Sequence, residues 1–133
     1  MAGSARKIFF DGGCRPNPGR MEAAVVLGGG VHLFDDLGHG SNTDAEWLAL
    51  IRALECAQSQ GLDHVILLGD SREVVLACQR ALRDGGNDAG GQAASHHLRT
   101  AMTLMAGVAD LRIRWIKREQ NLAGIALNAR HVR

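Results

Sequence analysis

Residues 7–34, KIFFDGGCRPNPGRMEAAVVLGGGVHLF, contain three short apolar runs separated by segments rich in glycine and proline. The length and composition of these runs favour β-strands, which are predicted at residues 7–10, 23–27 and 31–34. Gly28-Gly29-Gly30 is a turn that would join the last two strands as an antiparallel hairpin, and residues 11–19 are predicted to form a loop. This stretch therefore predicts a β-meander.

The remainder of the chain alternates helical and strand patterns. Apolar residues recur at helical spacing in residues 43–60, 72–82, 96–106 and 121–130. Further strands are predicted at 64–68, a continuous apolar run that suits burial on both faces, and at 111–116, where apolar and polar residues alternate. The Gly-rich segment 83–95 is predicted to be a mobile loop. A meander followed by helix-linked strands predicts a single α/β domain over residues 1–133, with a mixed sheet and helices on its faces.

The composition is that of a globular protein, with 46% hydrophobic and 22% charged residues, and it excludes a disordered chain. The formal net charge is only +1, so any contact with nucleic acid must be local, and a small metabolic enzyme fits the composition equally well. Cys14, Cys56 and Cys78 form neither a disulfide framework nor a CxxC zinc motif. No segment has the apolar length of a signal peptide or a membrane span. We therefore expect a cytoplasmic, reduced and monomeric protein.

Three carboxylates occupy positions at which they can meet. Asp11 and Asp70 each close an apolar strand, and ligands of open α/β sheets collect at the ends of neighbouring strands. Glu46 shares the apolar stripe of the first helix with Leu50 and Leu54, and no lysine or arginine lies at helical spacing on that stripe. A buried carboxylate is costly unless it is paired or bound to a metal. Acidic oxygens without a basic partner indicate a site for hard cations such as Mg²⁺ or Mn²⁺.

Each of these carboxylates has a simpler interpretation when taken alone. Asp11 and Asp70 could be ordinary turn residues, and Glu46 could be the partner of Thr43 in a capping box at the start of the helix. Only the combination favours a metal site. Two divalent ions about 3.5–4 Å apart are the usual device for phosphodiester cleavage.

Four segments, which together span nearly the whole chain in order, resemble the signatures of the type 1 ribonucleases H. They are DGGCRPNPG at 11–19, SNTDAE at 41–46, GDS at 69–71 followed by Val74, and WIKREQN at 115–121. The resemblance implies a five-stranded mixed sheet whose first three strands are antiparallel, with helices on both faces. It also implies metal ligands at Asp11, Glu46 and Asp70, which would hold two Mg²⁺ ions, with Mn²⁺ as an alternative.

The same resemblance implies a groove that binds an RNA–DNA hybrid. In the family, the loop after the first aspartate and two asparagines meet the nucleic acid, and contacts to the 2′-hydroxyl distinguish RNA from DNA. By resemblance, the residues of this sequence that would contact the nucleic acid are Gly12, Gly13, Cys14, Asn17 and Asn42. Ser71 either holds a phosphate or caps the helix that follows it, and capping is slightly favoured.

Two departures from the family pattern bear on activity. Many members carry a basic, tryptophan-bearing segment after the second helix, but here residues 83–95 contain Arg83 as their sole base, so we expect weaker and more salt-sensitive binding. The family's fourth carboxylate falls, by its spacing from Asn121, on Ile125, which cannot bind a metal and is expected to pack. Asn128, one turn further along the same helical face, is either the fourth ligand or an exposed residue of the terminal helix.

The sequence therefore predicts an endonuclease that hydrolyses the RNA strand of RNA–DNA hybrids and leaves 5′-phosphate and 3′-hydroxyl ends. One ion would activate water and the other would stabilise the leaving oxygen, with Asp11, Glu46, Asp70 and Asn128 as the catalytic residues. An alternative is a non-cleaving hybrid-binding module of the same fold, because the fourth carboxylate is missing. A DNA-cutting nuclease of the wider fold is disfavoured by the Asn-Pro-Gly loop at 17–19.

Overall fold

A computed structural model describes residues 4–84 and 92–131 of the chain. The strands are β1 (Arg6–Cys14), β2 (Gly19–Leu27), β3 (Gly30–Phe34), β4 (His39–Gly40), β5 (His64–Gly69) and β6 (Asp110–Trp115). The helices are α1 (Asn42–Ser59), α2 (Arg72–Asp84), α3 (Gln92–Met105) and α4 (Leu122–Ala129), and a short 3-10 turn, Arg118–Gln120, precedes α4. Within these described residues, no helix is both long and apolar enough to cross a membrane.

Five strands form one open sheet in the order β3-β2-β1-β5-β6, and the two-residue strand β4 pairs with the start of β2. β2 is antiparallel to both β1 and β3, whereas β5 is parallel to both β1 and β6. The predicted mixed sheet with three antiparallel strands at its start is therefore confirmed. The patterns miss β4 because two residues are too few to show an alternation.

Helices cover both faces of this sheet, as expected. Successive side chains of a strand point to opposite faces, so Phe10 and Val25 join the larger core, which α1, α2 and α3 cover. On the other face, Ala24 and Val26 of β2 pack against Ala123 and other apolar residues of α4. The sheet therefore stands between three helices on one side and one helix, in the described part of the chain, on the other.

β1 is longer than predicted, and the loop after it is correspondingly shorter. The residues from Asp11 to Cys14 stay in the strand because they pair with β2, from Asp11 opposite Ala24 to Cys14 opposite Met21. The prediction of a loop over 11–19 is therefore wrong for its first four residues and for Gly19, which begins β2. The backbone that follows Asp11 is held by the sheet rather than by a loop.

The start of α1 selects one of the three N-caps that the sequence predicts as possible, namely Ser41, Asn42 and Thr43. Ser41 is the N-cap, since its hydroxyl accepts from the backbone N–H of Asp44 at 3.1 Å and the Asp44 carboxylate accepts from the backbone N–H of Ser41 at 3.1 Å. The predicted capping box between Thr43 and Glu46 is wrong. Because Asp44 is the partner of Ser41 in the capping box, the Glu46 side chain is not needed to cap the helix.

The segment between α2 and α3 is only partly described. α2 continues to Asp84 and α3 already begins at Gln92, so the predicted loop over 83–95 is too long at both ends. The remainder of that prediction, residues 85–91, lies outside the described residues.

Candidate active site

Two strand ends and one helix bring three carboxylates together. β1 and β5 run parallel with Phe9 opposite Leu68, and the same register continued by two residues sets Asp11 opposite Asp70. Glu46 comes from the second turn of α1, the helix that packs across β1. One ligand oxygen from each of the three side chains lies within 4.8 Å of the other two. The structure therefore brings the three sequence-predicted metal ligands into one cluster.

Gly12 sets how closely α1 approaches β1 at this cluster. Its backbone N–H donates a hydrogen bond to Oε1 of Glu46 at 2.6 Å. A Cβ atom at position 12 would lie 2.1 Å from the carbonyl oxygen of Ala45, a separation that only a backbone shift could relieve. Glycine is required here because the helix and the strand touch backbone to backbone. This contact fixes the Glu46 carboxylate against the strand end.

Burial and mutual repulsion shift the pKa values of the metal-free cluster. Burial, and after it the charge of Asp11, raises the pKa of the Glu46 carboxyl to about 9. Burial likewise raises the pKa of Asp11 to about 6, with the charge of Asp70 as the second cause. Full ionisation at neutral pH is therefore unfavourable until positive charge is added. A set of carboxylate oxygens in this state fits a divalent cation.

A buried asparagine orients the third carboxylate. Asn121 is fully buried, and its side-chain N–H groups donate to Oδ2 of Asp70 at 2.9 Å and to the carbonyl oxygen of Phe10 at 3.0 Å. Its own Oδ1 accepts from the backbone N–H of Ala123 at 3.1 Å, which caps α4. On the other side, the indole N–H of Trp115 donates to the backbone carbonyl of Asp70 at 3.0 Å. Asp70 is thus fixed through both its side chain and its backbone.

Arg118 is a second site residue that the sequence patterns miss. Its positive charge lowers the pKa of Asp11, against the larger effect of burial. This arginine comes from the turn after β6, and not from the helical stripe of α1 that carries Glu46. The signal for Arg118 and Asn121 was present in the WIKREQN motif, which carried the family resemblance without giving either residue a role.

An open cavity of about 260 Å³ lies over Asp11 and Glu46. Of the residues predicted to bind substrate, four line it, namely Gly12, Gly13, Cys14 and Asn42. Asn17 stands at its rim, where its Oδ1 accepts from the backbone N–H of Asn42 at 3.1 Å. Asn42 in turn accepts from the backbone N–H of Cys14 at 2.9 Å. These bonds tie the segment after Asp11 to the start of α1.

Ser71 stands apart from this cavity. It does not line the cavity, and its hydroxyl accepts from the backbone N–H of Val74 at 3.4 Å. The Ser71 carbonyl accepts from the backbone N–H of Val75 at 3.0 Å, the first bond of α2. This geometry is that of a helix cap.

The opposite wall of the cavity comes from α4, and its register differs from the prediction. Gly124, Leu127 and Asn128 line the cavity, whereas Ile125 is 53% exposed, so the expectation that Ile125 packs is wrong. A Cβ atom on Gly124 would lie 3.4 Å from Oδ2 of Asp11. Asn121 caps the helix, which begins at Leu122, and this start turns position 124 towards Asp11. The place where a fourth side chain would meet the cluster is therefore held by a glycine.

Asn128 faces the cavity one turn after Gly124, and its amide oxygen is already engaged. Oδ1 of Asn128 accepts a hydrogen bond from a guanidinium N–H of Arg15 at 3.0 Å. Nearby, Glu22 is ion-paired with Arg130 at 3.4 Å, and its Oε2 lies 2.5 Å from Nε2 of His131. This side of the cavity thus carries the amide of Asn128 and the Glu22 carboxylate with its basic neighbours.

A family model described as reverse transcriptase-like matches residues 9–131. Among curated proteins, a ribonuclease HI of Halobacterium salinarum is 42% identical over 71 residues, which cover 50% of this chain and 36% of that protein. The matched part therefore spans about a third of the length of that curated relative.

Solved structures extend the likeness over nearly the full chain. The RNase H1 of the halophilic archaeon Halobacterium salinarum NRC-1 is 32% identical with a TM-score of 0.75, covering 95% of this chain and 99% of that one. LC11-RNase H1, solved in complex with an RNA/DNA hybrid, is 27% identical with a TM-score of 0.72, covering 88% of each chain.

Proposed function

The chain belongs to the type 1 ribonuclease H family, and we propose that it is an endonuclease that hydrolyses the RNA strand of RNA–DNA hybrids. The observation that carries this proposal is the cluster of Asp11, Glu46 and Asp70, whose ligand oxygens lie within 4.8 Å of one another. Two of its members, Asp11 and Glu46, line an open cavity, so a phosphate of a bound duplex can reach the cluster. Acidic clusters of this kind serve in-line displacement at phosphorus.

The residues present fit a pair of divalent cations, Mg²⁺ or Mn²⁺, held by Asp11, Glu46 and Asp70. When bound, such ions supply Lewis-acid stabilisation of the phosphate and an activated water, and this chemistry leaves 5′-phosphate and 3′-hydroxyl ends. The chain's own contribution is orientation. The Gly12 N–H fixes Glu46 and the Asn121 side chain fixes Asp70, so the donors need little rearrangement to accept a cation.

The substrate proposal rests on the segment that follows Asp11. Gly12, Gly13 and Cys14 line the cavity beside the acidic cluster, and Asn42 and Asn17 brace that segment. Backbone and amide groups of this kind can bond to the 2′-hydroxyls of an RNA strand, which duplex DNA lacks. The hybrid bound by the similar LC11 enzyme supports the same class of substrate here. We assign Ser71 to helix capping rather than to a phosphate.

Asn128 is proposed as an assisting group rather than a full fourth ligand. Its amide oxygen can approach a cation only if Arg15 releases it, and a substrate phosphate offers the Arg15 guanidinium a stronger, charged acceptor. A carboxamide oxygen brings no negative charge, so its contribution to cation binding is smaller than that of a carboxylate.

A second function, hybrid binding without cleavage, is favoured by one observation. Gly124 leaves the position next to Asp11 without a side chain, so the cluster has three carboxylates and no fourth at that wall. We rank this alternative below cleavage because the three carboxylates present are close together and oriented by hydrogen bonds.

The experiment that separates these functions uses an end-labelled RNA–DNA hybrid with Mg²⁺, with Mn²⁺ and with a chelator. We expect metal-dependent cutting within the RNA strand, no cutting of duplex DNA of the same sequence, and products that a ligase accepts at their 5′-phosphates. Binding without cutting in either metal supports the binding module. Equal cutting of hybrid and duplex DNA overturns the ribonuclease proposal in favour of a broader nuclease.

We also propose that the protein acts as a cytoplasmic monomer. Cys14, Cys56 and Cys78 are all free thiols, which suits a reducing compartment. Sedimentation at micromolar concentration tests the monomer, and a stable dimer would overturn it.

A further inference from the structure

A histidine of α3 reaches across to the first turn of α1. Nε2 of His97 lies 3.1 Å from Oδ1 of Asp44, and 16% of the His97 side chain is exposed. An ionised carboxylate can only accept hydrogen bonds, so the ring donates this one from Nε2. The ring also stacks on the buried Trp47, with 6.3 Å between the ring centroids and an angle of 16° between the ring planes. His97 is therefore held by ring packing and by a polar contact at the same time.

The backbone position of His97 is set by the hydrophobic core. The neighbouring residues Leu98 and Ala101 of α3 are buried in the larger core, in the same cluster as Trp47 and Leu50 of α1. This packing holds α3 against α1 without help from the polar contact. The His97 ring therefore offers Asp44 a hydrogen-bond donor at a fixed place.

Asp44 connects this contact to the N-cap of α1. Its other oxygen, Oδ2, accepts from the backbone N–H of Ser41 at 3.1 Å and from the Ser41 hydroxyl at 3.0 Å. The backbone N–H of Ser41 is the largest cause that lowers the pKa of Asp44, and the hydrogen bond from His97 acts in the same direction. One ionised carboxylate thus joins α3 to the residue that caps α1.

The same turn of α1 carries Asn42, which lines the cavity. The side-chain oxygen of Asn42 accepts from the backbone N–H of Cys14 at 2.9 Å. Glu46, one turn later, is held separately by the backbone N–H of Gly12 at 2.6 Å. Asn42 is the first residue of α1, where the backbone depends on the cap, whereas Glu46 lies beside the backbone contact with β1. Loss of the contact from α3 should therefore displace Asn42 more than Glu46.

We propose that His97 is a positioning residue for nucleic-acid binding, which acts through Asp44 to hold the first turn of α1 where Asn42 meets the hybrid. The inference rests on the proposed function and deepens it, because it identifies a contact from α3 that supports a substrate contact of α1. The competing role is packing alone, in which the His97 ring only fills space beside Trp47. The two roles differ in whether the N–H donor or the ring is required.

A matched pair of amide variants separates these roles. Both His97→Gln and His97→Asn remove the ring, but glutamine is long enough to return an N–H to the place of Nε2 and asparagine is not. Fluorescence anisotropy in a chelator measures Kd for a labelled hybrid. We expect His97→Asn to raise Kd about fivefold and His97→Gln to stay within about twofold of the wild type. His96→Asn, at the exposed histidine beside it, is the control and should leave Kd unchanged.

Coupling to Asp44 tests the route by which His97 acts. The double variant Asp44→Ala with His97→Asn should have the same hybrid Kd as Asp44→Ala alone, because residues that act through one contact do not have additive effects. Additive effects overturn the inference. Equal Kd values for His97→Gln and His97→Asn also overturn it, in favour of packing alone.

Backbone amide NMR spectra of the free proteins supply a readout that does not depend on the substrate. In His97→Asn, the amide signals of Asn42 and Cys14 should shift, while that of Gly12, which bonds to Glu46, should stay. Calorimetric Mn²⁺ affinity should likewise be unchanged. Shifts of equal size at all three amides, with a parallel loss of Mn²⁺ affinity, overturn the inference in favour of general support of the fold.

These results are distinguishable from a failure of the proposed function. Binding and NMR spectra are measured without cleavage, so a His97-dependent Kd in a protein that does not cut supports the inference while the endonuclease proposal fails. In a protein that cuts, His97→Asn should raise KM and leave kcat unchanged. Cutting by His97→Asn with wild-type KM overturns the inference while leaving the endonuclease proposal intact.

Discussion

The two walls of the cavity are built by different means. The acidic wall, Asp11, Glu46 and Asp70, stands on parallel strand ends and on a helix held in backbone contact with β1. The helical wall, Gly124 and Asn128, stands on α4 alone, and its inner positions follow from the residue at which that helix starts. The acidic wall carries three carboxylate side chains that could bind a metal, and Gly124 and Asn128 of the helical wall carry none. The carboxylates that could hold a cation therefore stand on the more constrained backbone of the two walls.

The acidic wall is also the electrostatically strained one. The pKa values of Asp11 and Glu46 are raised to about 6 and about 9, first by burial and then by neighbouring carboxylates. On the helical wall, Asn128 and Arg15 satisfy each other through a hydrogen bond. Removal of a carboxylate from the acidic wall should therefore lower activity and raise stability. Addition of a carboxylate to the helical wall should raise activity.

The largest effect is expected from removal of a carboxylate. Asp11→Asn or Asp70→Asn should lower cleavage of the hybrid by at least about 1,000-fold, equivalent to about 4 kcal/mol of transition-state stabilisation. The metal-free fold should stay intact or become slightly more stable, because a repulsive charge has been removed. Single-turnover cleavage and thermal unfolding in a chelator measure the two effects. Near-wild-type turnover in either variant would show that the acidic wall is not the catalytic one.

The backbone contact between α1 and β1 gives the next largest effect. Gly12→Ala places a Cβ atom 2.1 Å from the Ala45 carbonyl, so α1 must move and carry Glu46 with it. We expect a loss of about 1–3 kcal/mol in unfolding free energy and a fall in cleavage of more than tenfold. Gly13→Ala is the matched stability control, since its Cβ would meet only the Asn42 side chain at 3.7 Å. Equal stability of the two variants would contradict the required close approach.

Adding negative charge to the helical wall should strengthen cation binding. Gly124→Asp supplies a carboxylate next to Asp11 and should tighten Mn²⁺ binding about tenfold, or about 1.4 kcal/mol, with higher activity at low Mg²⁺. Asn128→Asp should have a smaller effect, because Arg15 competes for the new charge. Ile125→Asp should change neither metal affinity nor stability, because that side chain is exposed. A gain confined to Asn128→Asp would show that Asn128, not position 124, meets the ions.

The last prediction concerns stability alone, as a pH dependence of the metal-free fold. Raised pKa values of Asp11 and Glu46 mean that the folded state holds more protons than the unfolded state between pH 3.8, the ordinary pKa of Asp11, and about pH 9, the raised pKa of Glu46. The contribution of these two groups to stability should therefore be greatest below pH 3.8 and fall as pH rises to about 9, by at most about 1.4 kcal/mol per pH unit for each group. Thermal unfolding in a chelator measures this.

One variant and one added cation test whether the acidic cluster causes this pH dependence of stability. Glu46→Gln should flatten the slope above pH 6, where Asp11 has already ionised. Saturating Mn²⁺ should offset the loss, since the cation binds the folded, deprotonated cluster. Stability that rises with pH in the chelator would contradict the assigned shifts.

Sequence patterns predicted the acidic wall because strand ends follow directly from apolar runs. The runs that end at Asp11 and Asp70 fix both positions, and helical spacing puts Glu46 on the stripe that faces the sheet. The patterns erred on local hydrogen bonding. The residues after Asp11 pair with β2 rather than form a loop, and Asp44 rather than Glu46 completes the capping box.

The helical wall could not be predicted in the same way. Counting from Asn121 gives a residue number, but which side chain faces the cluster depends on where α4 starts, and one residue of difference turns the face by about 100°. The roles of Asn121 and Arg118 depend on contacts between segments far apart in the chain, so helical or strand periodicity carries no sign of them.

A crystal of the protein soaked in Mn²⁺, with anomalous scattering recorded, tests the contrast between the walls most directly. We expect density for at least one ion within about 2.2 Å of carboxylate oxygens of Asp11, Glu46 and Asp70, with solvent rather than a protein ligand on the side of Gly124. Density held by Asn128 and other groups of α4 without the three carboxylates would contradict the account, as would an empty cluster in crystals of an active protein.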